Sequence, residues 1–198
     1  MNVMERFQRS FAFNWGVGTI EFGTGKIAEL GNIVKGMKAN KALVVTDKGL
    51  TETGILEKIT APLSQSEIDH TVFDEVEPNP IDTTAEKGGA LAREMQADVI
   101  VGVGGGSAID SAKAISVIAT NPGSIRDYQI KSEEDFENIK IHPTPLITVP
   151  TLPGQERKAI SGLLLPIPTT GVRWQSVALH VIPAAPALQQ KSPSTIRC

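Results

Sequence analysis

The chain has 198 residues, with 19 Lys and Arg against 22 Asp and Glu, a net charge near −3 and 40% hydrophobic residues. That length buries one good core and little more, and the scattered basic residues, never clustered with aromatics, argue against a nucleic-acid partner. No apolar stretch approaches a membrane span, Met1 to Phe13 lacks a signal-peptide core, and the single cysteine, Cys198, excludes an internal disulfide; a cytoplasmic setting is expected.

Trp15 to Phe22 (WGVGTIEF) alternates as a short strand or hairpin. Gly25 to Val34 reads as a helix, Lys41 to Thr46 as a buried strand, and about Thr51 to Leu63 as a second helix after a loop at Asp47-Lys48-Gly49. His70 to Phe73 gives a third strand. Glu77-Pro78-Asn79-Pro80 is a stiff turn, because each proline fixes its own φ and restricts the residue before it. A helix over about Thr83 to Met95 leads into a strand beginning at Asp98. After a further helix come an acidic surface loop, Lys131 to Glu137, and a last strand, Pro145 to Val149. Strands alternating with helices at this spacing predict an α/β fold with a parallel sheet and right-handed crossovers.

The most informative run is Ala97 to Lys113, ADVIVGVGGGSAIDSAK. An apolar, β-branched strand passes through Gly104, Gly105 and Gly106 into a segment with helical spacing of Ile109, Ala112 and Ile115. Such a corner lets the backbone approach a phosphate, with the first helical N–H groups and the helix dipole directed at it. The plainer alternative is a capping box, Ser107 with Asp110 three residues on. Neither G-x-G-x-x-G nor a Walker loop is present, since Ser107 stands at the third position and no Gly-Lys-Ser/Thr occurs. Lys113 reads as a solvated helix charge.

Four motifs occur together: VVTDKG at Val44 to Gly49, EPNP at Glu77 to Pro80, GGGSAIDSAKAI at Gly104 to Ile115, and ITVPT at Ile147 to Thr151. In order and spacing, over about Trp15 to Thr151, the set resembles the iron-containing (group III) alcohol dehydrogenase family. The resemblance implies a Rossmann-like, dehydroquinate synthase-like N-terminal domain holding NAD(P), followed by a helical domain holding Fe2+ or Zn2+. It assigns Asp47 to the adenosine ribose, where a carboxylate accepts hydroxyl hydrogen bonds and repels a 2′-phosphate, favouring NAD over NADP; on residues alone Asp47 reads equally as a helix N-cap. It also places Asn79 against the cofactor, Gly104, Gly105, Gly106 and Ser107 on the pyrophosphate, Asp110 in the cofactor or substrate cleft, and Thr148 and Thr151 at the strand end facing the cofactor, with Thr151 the better match.

Beyond Thr151 the pattern departs. The family's small-residue loop is replaced by Leu152-Pro153-Gly154-Gln155-Glu156-Arg157, and Ala159 to Cys198 contains no acid and five prolines. With suitable codons, Leu163 to Ala178 read two bases later gives V-I-T-D-P-D-N-R-R-K-M-A-I-G-G, which resembles the family there. The expectation is therefore a frameshift after about residue 152, with 1–152 a nucleotide-binding domain and 153–198 an irregular segment carrying no regular element. His180 to Pro183 looks back in frame, and Ser192 to Ile196 resembles the stretch before the family's metal helix. The family's ligands, one aspartate and three histidines, fall beyond position 198. His70, His142 and His180 lack ligand spacing, so no metal site is assigned.

The resemblance implies hydride transfer between NAD(P) and a primary or secondary alcohol or aldehyde. The alternatives are a nucleotide-binding fragment without chemistry, and a glycerol dehydrogenase- or dehydroquinate synthase-like relative. No catalytic residue is identified. A homodimer paired through the Trp15 to Phe22 strand is a further expectation.

Overall fold

The computed structural model describes residues 11–14, 19–23, 25–78, 80, 82–121, 123–128, 141–151 and 176–180. Phe11–Asn14 (β1) and Thr19–Phe22 (β2) pair antiparallel, Phe11 opposite Phe22. A 3-10 turn, Lys26–Glu29, precedes helix α1 (Leu30–Gly36) and strand β3 (Lys41–Val45). Helices α2 (Lys48–Thr51) and α3 (Ile55–Gln65) lead to strand β4 (Asp69–Phe73). Then follow α4 (Asp82–Glu94), β5 (Val99–Gly104), α5 (Gly106–Thr120), a 3-10 turn at Ile125–Tyr128, β6 (Leu146–Pro150) and β7 (Ser176–His180).

The seven strands make one sheet in the order β1-β2-β7-β6-β5-β3-β4, parallel except for the β1–β2 pair. The chain moves outward from β3 to β4, then returns to place β5 on the opposite side of β3. That reversal is the topological switch where open α/β sheets bind ligands.

Strand burial explains why the apolar runs lack alternation. Every residue of β5 is buried, because helices cover both faces of the central strands. On one face Val44, Val101, Val103 and Val149 pack with Leu30 and Val34 of α1 and Ile59 and Leu63 of α3. On the other, Leu43, Val45 and Ile100 pack with Ala85 and Ala92 of α4 and with Ala112, Ile115 and Ile118 of α5. Small residues set the spacing of these layers. A Cβ on Gly102 would lie 2.6 Å from that of Ala112, so α5 rides directly on β5.

The helix expected over Thr51 to Leu63 is two helices, separated where Gly54 turns left-handed (φ 72°), a conformation that suits glycine. The segment expected to begin helical at Gly25 opens instead as the 3-10 turn. Residues 153–198 do not lack regular structure: β7 runs over Ser176–His180, parallel to both β2 and β6. A slot with backbone partners on both sides needs little intrinsic strand preference, which is why the short Ser-Val-Ala-Leu-His run gives so weak a signal. The acidic loop Lys131 to Glu137 lies outside the described residues. Among the described residues, no helix is long and apolar enough to cross a membrane.

Candidate functional site

The parallel strands end together at one rim. β3 delivers Asp47 there, β5 delivers Gly104, β4 delivers Asp74 and Glu75, and β6 delivers Thr151. These ends are tied laterally: the Thr46 N–H donates to the Phe73 carbonyl at 2.9 Å, and the Thr151 N–H donates to the Gly104 carbonyl at 3.1 Å. An open cavity of about 890 Å³ lies above β3 and β5, walled by Asp47, Lys48, Asp74, Glu75, Lys87 and the Gly105–Ala108 corner.

The corner has the features an anion needs. Gly104 has φ 138°, and a Cβ there would meet Ala108 Cβ at 2.9 Å and Asp47 Oδ2 at 3.4 Å, so only glycine fits the position. Gly105 is the N-cap of α5 in extended conformation, and no side chain caps this helix. The N–H groups of its first turn are thus left for a ligand, and no acid stands in that turn to oppose a negative charge. The capping-box alternative is overturned. Ser107 lies inside the helix rather than before it, and its side chain does not bond back.

Asp47 takes the N-cap part, and its second oxygen stays directed at the corner. It is the N-cap of α2, with Oδ1 accepting the Leu50 N–H at 3.0 Å, while Oδ2 is turned towards Gly104. One oxygen therefore orients the carboxylate and the other faces the corner.

Asp47, Gly105, Gly106 and Ser107 line one cavity; Gly104 and Thr151 are bonded to each other at the strand ends but are outside its lining. Thr148 does not join them. It is 3% exposed inside β6, opposite Gly102. Asp110 is exposed one turn along α5, 3.9 Å from Lys113 Nζ and outside the cavity lining. Asn79 lies outside the described residues. Lys113 is not a solvated charge: its side chain is 6% exposed, because α5 is buried against both the sheet and α4.

Sequence reasoning missed Lys48, Asp74, Glu75, Thr83, Thr84 and Lys87, which also line the cavity. Their signal was available. Asp74-Glu75 directly follow a strand, and strand ends next to a glycine corner share its rim.

A family model described as iron-containing alcohol dehydrogenase matches residues 18–185, past the departure at residue 152. The NAD-dependent methanol dehydrogenase of Bacillus methanolicus is 29% identical over 176 residues, 87% of this chain and 45% of that protein. The choline dehydrogenase of Bacillus subtilis (strain 168) is 37% identical over 136 residues, 68% of this chain and 33% of that protein. Among solved structures, sulfoacetaldehyde reductase from Bifidobacterium kashiwanohense in complex with NAD+ superposes with a TM-score of 0.66 at 26% identity, over 86% of this chain and 46% of that one. This chain thus spans a third to nearly half the length of these relatives. On the family match and the fold together, it is a member of the iron-containing alcohol dehydrogenase family.

Proposed function

We propose that the crevice holds NAD(H), its diphosphate on the N-terminus of α5, and that the chain is the nucleotide-binding part of an oxidoreductase acting on a primary or secondary alcohol or aldehyde. The observation that carries this is the uncapped start of α5 beneath Gly104, where a side chain would fill the space. Backbone N–H groups from Gly106 onward would hold the diphosphate. Asp47 would accept hydrogen bonds from ribose hydroxyls and disfavour NADP. The family resemblance also assigns Asn79 and Thr151 to the cofactor.

When bound, NAD supplies the acceptor for a hydride leaving the alcohol carbon, while the hydroxyl proton passes to solvent and a carbonyl compound forms. The chain's own share is to orient the dinucleotide and to exclude competing anions from the rim. The family description names iron, not zinc. Among the described residues no three His, Cys, Asp or Glu side chains gather as ligands, so those residues do not fit a metal centre.

NADH fluorescence titration tests the reading. Saturable binding that is lost in Gly104→Val supports it; no saturation overturns it. Turnover of an alcohol panel with added ferrous iron would then separate an oxidoreductase from a nucleotide-binding protein, and a panel including glycerol would separate branches of the family. A homodimer paired through the amino-terminal strands would use β1, an edge strand of the sheet, because β2 is paired on both sides.

A further inference from the structure

The rim of the crevice carries more charge than Asp47 alone. Its lining sets the carboxylates of Asp47, Asp74, Glu75 and Glu77 against the ammonium groups of Lys48 and Lys87. An antiparallel bridge between Asp47 and Glu75 fixes the two acidic strand ends side by side. From α4, Lys87 Nζ reaches Glu75 Oε2 at 3.1 Å. Both side chains are well exposed, 68% and 52%, so the pair stands in solvent at the cavity mouth.

We propose that Glu75 is a specificity-determining residue, which neutralises Lys87 and so withholds that ammonium from the 2′-phosphate of NADP, leaving Lys48 beside Asp47 as the other lysine of the lining. This rests on the cofactor reading above. A lysine ammonium on a flexible stem is a ready phosphate ligand. Lys87 lines the same wall as Asp47, the side to which the ribose is assigned. While Glu75 holds it, the wall presents only net negative charge to a phosphate. Released, Lys87 offsets the repulsion from Asp47.

The test is binding of NADH and NADPH, each by fluorescence titration at low salt, to the wild-type chain, Glu75→Gln, Lys87→Gln and the double variant. Glu75→Gln is expected to tighten NADPH about two- to fivefold, the range of an exposed charge pair, and to leave NADH within twofold. The double variant loses the gain. Raising salt to 0.5 M also erases it, as screening of exposed charges requires. An unchanged NADPH-to-NADH ratio in Glu75→Gln, or a gain that survives removal of Lys87, overturns the proposal while the cofactor reading stands. Failure of the wild type to bind NADH at all overturns both.

Discussion

The carboxylate of Asp47 is divided between two neighbours: Oδ1 accepts the N–H of Leu50 at 3.0 Å, and Oδ2 lies 3.4 Å from the place a Gly104 Cβ would take. Capping and the proposed cofactor selection are therefore separable by mutation. Asp47→Ala should cost about 1 kcal/mol of stability through the lost cap and weaken discrimination against NADPH. Asp47→Ser should recover most of the stability and none of the discrimination. Thermal melting alongside cofactor titration decides it; equal recovery of both by serine would contradict the division.

Gly104 makes a sharper demand. Its φ of 138° and the 2.9 Å approach to Ala108 Cβ leave no place for a methyl group. Gly104→Ala should destabilise by about 1–3 kcal/mol and abolish saturable NADH binding. Gly36 meets nothing within 4 Å, so Gly36→Ala serves as the control, and its NADH affinity should match the wild type.

Close contact between α4 and α5 depends on two adjacent glycines. A Cβ at Gly88 would sit 2.3 Å from Ile115 Cδ1, and one at Gly89 would sit 2.5 Å from Ile118 Cγ1. Alanine improves helix propensity by about 1 kcal/mol, yet overpacking costs about 1–3 kcal/mol, so Gly88→Ala should be net destabilising. Shortening Ile115 to Val removes the Cδ1 it strikes. A double-mutant cycle by urea denaturation should then show favourable coupling; simple additivity would refute this packing account.

Acid sensitivity should centre on the start of α4. The Arg126 guanidinium hydrogen-bonds Asp82 and holds its carboxyl below the ordinary value of 3.8, with the Thr83 N–H assisting. A lowered folded-state pKa gives stability that is present above the unfolded value and lost as pH falls through the folded one. Asp82→Asn should therefore melt below the wild type at neutral pH and converge with it only as pH falls below the ordinary carboxylate value, through the lowered folded-state one. A gap that persists below that folded-state value would show that Asp82 acts other than by its charge.

The central strands and the glycine corner were legible because burial on both faces leaves continuous β-branched runs, and because three glycines before a helix have few other uses. The N-cap reading of Asp47 was legible because a short acidic side chain directly after a strand and before a helix suits that place. Thr148 was misplaced because a strand position shows its period but not its depth. Three residues before Thr151, within β6, its hydroxyl lies in the core rather than the crevice. Lys113 misled because lysine is seldom buried, and the packing of α5 against sheet and α4 is a tertiary fact. The capping box failed where Gly105 started the helix two residues before Ser107. The Glu75–Lys87 pair spans two elements, so neither residue signals it locally.

The position of β7 carries a consequence for assembly. Among the described strands, the amino-terminal pair reaches the rest of the sheet only through Ser176–His180, which lies between β2 and β6. Strand β2 must therefore wait for a strand made much later in the chain before its backbone finds a partner on that side. Ribosome-bound chains stalled before residue 176 should carry protease-sensitive β1 and β2 beside an already protected β3–β6 layer, with protection spreading to that pair only once the later strand has emerged.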